Sequence, residues 1–318
     1  MSPVNIILFI LFILVLILLC QNKQPMLIQG GTRIKKKILG PRSYTYYSNI
    51  FGKKLYLFGE HHIPIDKKIK GIDVVDFFKE KIKNKNTVIF LETHYSPPKC
   101  HWAEYPVGGT LDRINKINSN QIKRVNSRYE TKEICYLYSM RVYGGLYYRN
   151  GTIKPNKELE YAYKWTVRFI KKHKTVNSVA KNIFNKAQIG PSFKYEYNKL
   201  SITNQKHIYD IIKESIDSLT PNISMNKDYI KLRNQPLNKE NILKLYGIFE
   251  CIITRIYDLV TLMRIFNSKY KIIYTYFGTK HTKQIRNILS EYWNINPTTE
   301  YEAKKGEEFI ILNNIAKN

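Results

Sequence analysis

Leu55-Tyr56-Leu57-Phe58-Gly59-Glu60-His61-His62 is an apolar run that stops at Gly-x-x-His. Far down the chain, Ile272-Ile273-Tyr274-Thr275-Tyr276-Phe277-Gly278-Thr279-Lys280-His281 does the same. Runs rich in aromatic and β-branched residues that end at glycine read as strands. Each would deliver a histidine from the carboxyl end of its strand, where open α/β sheets build their sites. The two strings together predict one pocket made by two halves of a fold.

Outward from the first string, His61 to Gly71 reads as a loop, with Pro64 within it. Asp73 to Lys83 follows with Val74, Phe77, Phe78 and Ile82 at helical spacing. Thr87 to Leu91 is a second, nearly all-apolar strand, which makes a strand–helix–strand unit with both strands buried. Residues of about 95–235 open with Pro97-Pro98, Gly108-Gly109 and Gly144-Gly145. Helical patterns follow near Lys157–Lys172, Val176–Asn185 and Asn204–Leu219. This stretch reads as a largely helical insertion, either a lid or a structural layer. Asn238 to Asn267 is a long helix with a broad apolar face. The second string follows it directly, then a helix over Thr282–Tyr292 and a last strand over Glu308–Leu312. The expected class is α/β, a mainly parallel or mixed central sheet flanked by helices.

The candidate chemistry sits at three strand ends: Glu60, His61 and His62; Glu92, Thr93 and His94; and His281. In a parallel pairing the strands ending at Phe58 and Leu91 are expected side by side, so that Glu60, His62 and Glu92 converge. A third strand ending at Phe277 would bring His281 to the same edge. Carboxylates and imidazoles together can transfer protons near neutral pH, or hold a divalent metal that activates water. His101 beside Cys100 reads as a loop residue, and His173 and His207 as solvated. Asp258 lies in the apolar helix and must face water, a partner or the pocket. Arg264 is placed either to bind an anionic group or to orient Glu92. Phosphate-loop, Gly-x-Ser-x-Gly and His-Glu-x-x-His signatures do not occur.

These residues resemble a superfamily that gathers the erythromycin esterases, the ChaN-type haem-binding lipoproteins and the TraB/PrgY/GumN/Tiki proteins. Gly59-Glu60-His61-His62 is similar to its first motif and Phe90-Leu91-Glu92 to its acidic strand end. Asp258 to Arg264 resembles its polar helix, and Gly278-Thr279-Lys280-His281 its second motif. The resemblance implies a hydrolytic site using His62, Glu92 and His281, with Glu60 as support or base and a possible divalent metal held by His62, Glu92 and His281. Gly59, His61, Asp258, Arg264 and Gly278 would support it. The expected function is a hydrolase of ester or peptide bonds, its small-molecule or peptide substrate unassigned. A non-catalytic haem- or metal-binding protein and a basic membrane-associated scaffold are the alternatives.

Val4 to Cys20 is apolar apart from Asn5 and almost long enough to span a hydrocarbon core. No basic residue precedes it and no Ala-x-Ala follows, so it reads as an uncleaved anchor over residues 1–21 rather than a signal peptide. Lys23, Arg33, Lys35, Lys36 and Lys37 flank it, which predicts a single-pass membrane protein with a cytoplasmic carboxyl-terminal domain and contact with anionic lipid. Residues 22–50 read as a basic linker, and 51–318 as the α/β domain.

Fifty-two Lys and Arg against 25 Asp and Glu leave a charge of +27. The basic residues are spread along the chain rather than gathered into a motif. The abundance of Lys, Asn, Ile and Tyr suits the codon bias of an AT-rich genome such as that of a large DNA virus. Nucleic acid is therefore not an expected partner. The four cysteines show no CxxC spacing and read as buried free thiols.

Overall fold

The computed structural model of the chain describes residues 36–61, 70–92, 110–125, 132–141, 157–188, 190–218, 223–235, 239–304, 307 and 309–312. Three parallel strands form its centre: β3 (Lys53–Glu60), β5 (Thr87–Glu92) and β7 (Ile272–Gly278). Their side chains are buried on both faces, which is why these segments read as continuous apolar runs rather than alternating ones. β6 (Ile122–Val125) adds a parallel edge next to β5, while β2 (Ser43–Ile50) and β8 (Thr299–Glu302) pair antiparallel on the far side of β3. The order β6-β5-β7-β3-β2-β8 makes a mixed six-stranded sheet. A smaller sheet joins β4 (Ile72–Asp73), β1 (Lys36–Leu39) and β9 (Phe309–Leu312).

This order corrects the expectation that β3 and β5 lie side by side. β7 is inserted between them, paired with both along its length. A doubly buried apolar strand carries no mark of which neighbours it will take. The slot left by the β3-to-β5 crossover is filled only when the chain returns after the helical insertion.

Residues 36–39 and 43–50, read as part of a linker, are strands. The Ser43-Tyr44-Thr45-Tyr46-Tyr47 run has strong β propensity, and β2 turns into β3 through Phe51 and Gly52. Both have positive φ, 49° and 77°, the pattern of a tight two-residue hairpin. Phe51 packs edge-on against Phe266, with ring centroids 5.2 Å apart.

Helix α1 (Val74–Lys81) starts where the Asp73 carboxylate accepts from the Val75 N–H at 2.8 Å. Its Phe77 and Phe78 cover one face of the sheet through contacts with Phe58 and Tyr274. The insertion supplies α2 (Thr110–Asn115), β6, α3 (Lys132–Arg141), α4 (Lys157–Lys172), α5 (Val176–Gln188), α6 (Pro191–Tyr197), α7 (Ile202–Asp217) and α8 (Ile223–Asn234). The strand within it carries no apolar run, because β6 is four residues long and exposes Lys123 and Arg124 at a sheet edge. Helices α3 to α8 share one apolar core with the 29-residue α9 (Lys239–Asn267), which lies on the opposite sheet face from α1, whereas α2 packs against α1. α10 (Thr279–Trp293) follows β7 without a break.

His173 and His207, expected to be solvated, are half-buried against Phe169 and Trp293, with ring centroids 4.5 and 5.0 Å apart. The cysteines also differ from expectation. Cys135 is disulfide-bonded, with its partner outside the described residues, and Cys251 is an exposed free thiol. No described helix is long and apolar enough to cross a membrane, and Val4–Cys20 lies outside the described residues.

Candidate active site

Register decides which strand-end side chains meet. Leu55, Leu57 and Gly59 pair with Ile273, Thr275 and Phe277, and Val88 and Phe90 pair with Ile273 and Thr275. Side chains alternate along a strand, so Glu92, two residues beyond Phe90, projects from this face, beneath α9. Glu60 pairs with Gly278 and projects from the other face, with Tyr56 and Phe58. There it lies near Tyr276. Burial, then the Glu60 carboxylate, pushes the Tyr276 hydroxyl well above its ordinary pKa, and Thr110 works against that.

On the α9 face the chain makes a line of three ionisable groups. The His281 Nδ1 is 2.7 Å from Asp258 Oδ1, and its Nε2 is 3.6 Å from Glu92 Oε1. Asp258 is wholly buried, and His281 and Glu92 nearly so. Burial holds the Asp258 carboxyl above its usual range; the His281 ring and then Arg255 oppose that shift, and Glu92 adds to it. The Tyr257 ring packs on the imidazole at 4.5 Å and fixes its plane. Glu92 is held by its other oxygen, which accepts from the Gly278 N–H at 2.6 Å.

Each of the three arrives by a different local device. Glu92 ends a buried strand. His281 stands in the first turn of α10, which begins at the glycine of the second motif. Asp258 is a charge within an otherwise apolar stretch of α9, tolerable there because the imidazole is its partner. Gly59 of the first motif serves the same arrangement from below. A Cβ at Gly59 would lie 2.2 Å from Ser43 Oγ, 2.8 Å from Thr282 Oγ1 and 3.0 Å from Thr279 Cα. Only glycine lets α10 dock this closely on β3, and Thr279 Oγ1 then donates to the Glu60 carbonyl at 3.0 Å.

Of the residues read from sequence, Glu92, Asp258 and His281 come together, with Gly278 bracing Glu92 through its backbone. Glu60 is on the opposite face. His61 is exposed and acts on Glu302, whose carboxyl is held low chiefly by Lys283 and least by His61. Arg264 does not orient Glu92. It donates to the Arg124 carbonyl at 3.0 Å and faces Glu196 at 3.6 Å. His62, Thr93, His94 and His101 lie outside the described residues. Tyr257 was missed. Its signal was an aromatic next to the lone helix carboxylate, and nothing in a core helix marks one ring among many.

An ionised carboxylate can only accept. With Asp258 charged, Nδ1 carries the proton and a neutral ring offers its Nε2 lone pair toward Glu92. The 3.6 Å gap is too long for a direct hydrogen bond and suits a bridging water. Asp258 Oδ2 has no hydrogen-bond partner among the described residues. Of the expected metal ligands His62, Glu92 and His281, His62 lies outside the described residues, and Asp258 does not complete a set with the other two. Asp258 and Glu92 lie at opposite nitrogens of one ring, so the three groups do not point at a common centre. No group of three or more metal-ligating side chains occurs among the described residues.

No family model matches the chain, and neither a curated protein nor a solved structure matches it.

Proposed function

We propose that the chain is a hydrolase of ester or peptide bonds, similar in its site to the superfamily marked by two Gly-x-x-His motifs, and tethered to a membrane by Val4–Cys20. The observation that carries the reading is the buried line Asp258–His281–Glu92. Asp258 holds the ring in the tautomer whose Nε2 is a base. A water between Nε2 and Glu92 would give its proton to the imidazole as it attacks a carbonyl, the Asp258 carboxylate would stabilise the imidazolium formed, and that imidazolium would return the proton to the alcohol or amine that leaves as the acyl bond breaks. Glu92, pinned by the Gly278 N–H, orients that water rather than competing for its own place. The substrate enters at the carboxyl edge of the sheet, where open α/β folds bind ligands.

The test is hydrolysis of nitrophenyl esters and a mixed peptide pool by the full chain in detergent. Turnover that disappears in both His281→Gln and Glu92→Gln is the expected result. A folded parent protein with no turnover on either substrate class overturns the proposal.

A further inference from the structure

A cavity of about 290 Å³ lies between β5–β6 and the carboxyl-terminal ends of α6 and α9. Val88, Phe90 and Tyr270 give it an apolar floor. Lys123, Lys199, Arg264 and Lys269 bring four cations to its walls against one carboxylate, Glu196; Arg124 lines it too, but its guanidinium donates to the Asn115 carbonyl at 3.3 Å. That carboxylate is already engaged. It accepts from Asn267 Nδ2 at 2.9 Å and faces Arg264 Nε at 3.6 Å, which holds the guanidinium in place at the cavity wall. No ion pair among the described residues engages Lys123, Lys199 or Lys269. Lys199 and Lys269 lie over the rings of Tyr195 and Tyr270, contacts that leave their N–H donors available.

The contrast with a smaller pocket at the opposite, β2–β8 edge of the sheet is informative in so basic a protein. There Lys283 and Arg286 are matched by Glu302 and Glu300 at 2.7 and 3.2 Å, so their charge is already answered. In the larger cavity Arg264 faces Glu196, but Lys123, Lys199 and Lys269 have no such match among the described residues. A fixed guanidinium ringed by ammonium groups is the chemistry that recognises phosphate. An apolar floor beside it favours a phosphate attached to a planar or apolar body. The volume is at the small end for ligand sites. Arg264 is six residues beyond Asp258, about 9 Å along the helix, so this site is separate from the buried line.

We propose that this cavity binds a mononucleotide-sized phosphomonoester. The probe is adenosine monophosphate, titrated by calorimetry into the full chain, with adenosine and inorganic phosphate as partial ligands. Saturable one-to-one binding tighter than either partial ligand is expected, weakening as salt rises. The variant Lys123→Gln/Lys199→Gln/Lys269→Gln changes lysines without ion pairs. It is expected to bind at least about tenfold more weakly, whereas Lys181→Gln/Lys213→Gln, on exposed faces of α5 and α7, matches the parent. Equal weakening in both variants overturns the proposal, because the attraction would then be diffuse. So does inorganic phosphate binding as tightly as the nucleotide, or a single-stranded oligonucleotide binding far more tightly through the same three lysines.

Discussion

Asp258 and His281 stand 23 positions apart and meet at 2.7 Å in a wholly buried contact between the long helix and the first turn of the helix that follows β7. An aspartate so enclosed burdens the fold unless it is protonated or paired. Its presence is the strongest sign that this line of groups is kept for chemistry.

That burden has a pH signature. Asp258 is held above the ordinary carboxylate value of about 3.9. Between that value and the raised one, the folded chain binds the proton that the unfolded chain has lost, so stability falls as pH rises through this window. Asp258→Asn removes the titration while the amide oxygen still accepts from Nδ1. Thermal melts should show the variant level with the parent at acid pH and more stable above the window. Its turnover should fall by roughly 10²- to 10⁴-fold. A variant that is both active and no more stable would contradict both parts.

The two glutamates should separate. Glu92→Gln loses the carboxylate beside Nε2 and is expected to abolish turnover. Glu60→Gln, on the opposite sheet face, should stay within about threefold of the parent, less than a general base contributes. It should also ease ionisation of Tyr276, lowering the midpoint of a spectrophotometric tyrosine titration. Equal loss in both variants would place Glu60 back in the reaction.

Gly59→Ala puts a methyl group where Ser43, Thr279 and Thr282 leave no space. Denaturant melts should record a loss of about 1–3 kcal/mol, the usual cost of overpacking. The double variant Gly59→Ala/Ser43→Gly should recover part of it, since the Ser43 oxygen is the nearest clash. An unchanged midpoint in the single variant would mean that α10 does not dock as described.

For the proposed membrane tether, the Cys135 disulfide and the basic flank of Val4–Cys20 argue for opposite orientations. Disulfides persist in oxidising compartments, whereas Lys and Arg gather on the cytoplasmic side. With the bond formed, Cys135 should resist alkylation at lysis, and Asn150 and Asn222, which begin the Asn-x-Ser/Thr acceptor sequences Asn150-Gly151-Thr152 and Asn222-Ile223-Ser224, should carry glycans in a glycosylating host. Rapid alkylation of Cys135 and an unglycosylated chain would restore the cytoplasmic orientation.

The sequence by itself determined the long apolar elements at the centre of the fold and their chemistry, but not β1, β2, β6 or β8. Lys157–Lys172 reads as the helix it is, and the boundaries of β3, β5, α9 and β7 lie within a few residues of expectation, because hydrophobic period and glycine punctuation are local properties. It also determined that Glu92, Asp258 and His281 are unusual, since a charge amid apolar neighbours needs a reason. Only the tertiary structure decided that β7 separates β3 from β5, and that a one-residue offset in strand phase sends Glu60 and Glu92 to opposite faces. Strand order and register are set by long-range pairing and packing, which leave no trace in a strand whose two faces are equally apolar.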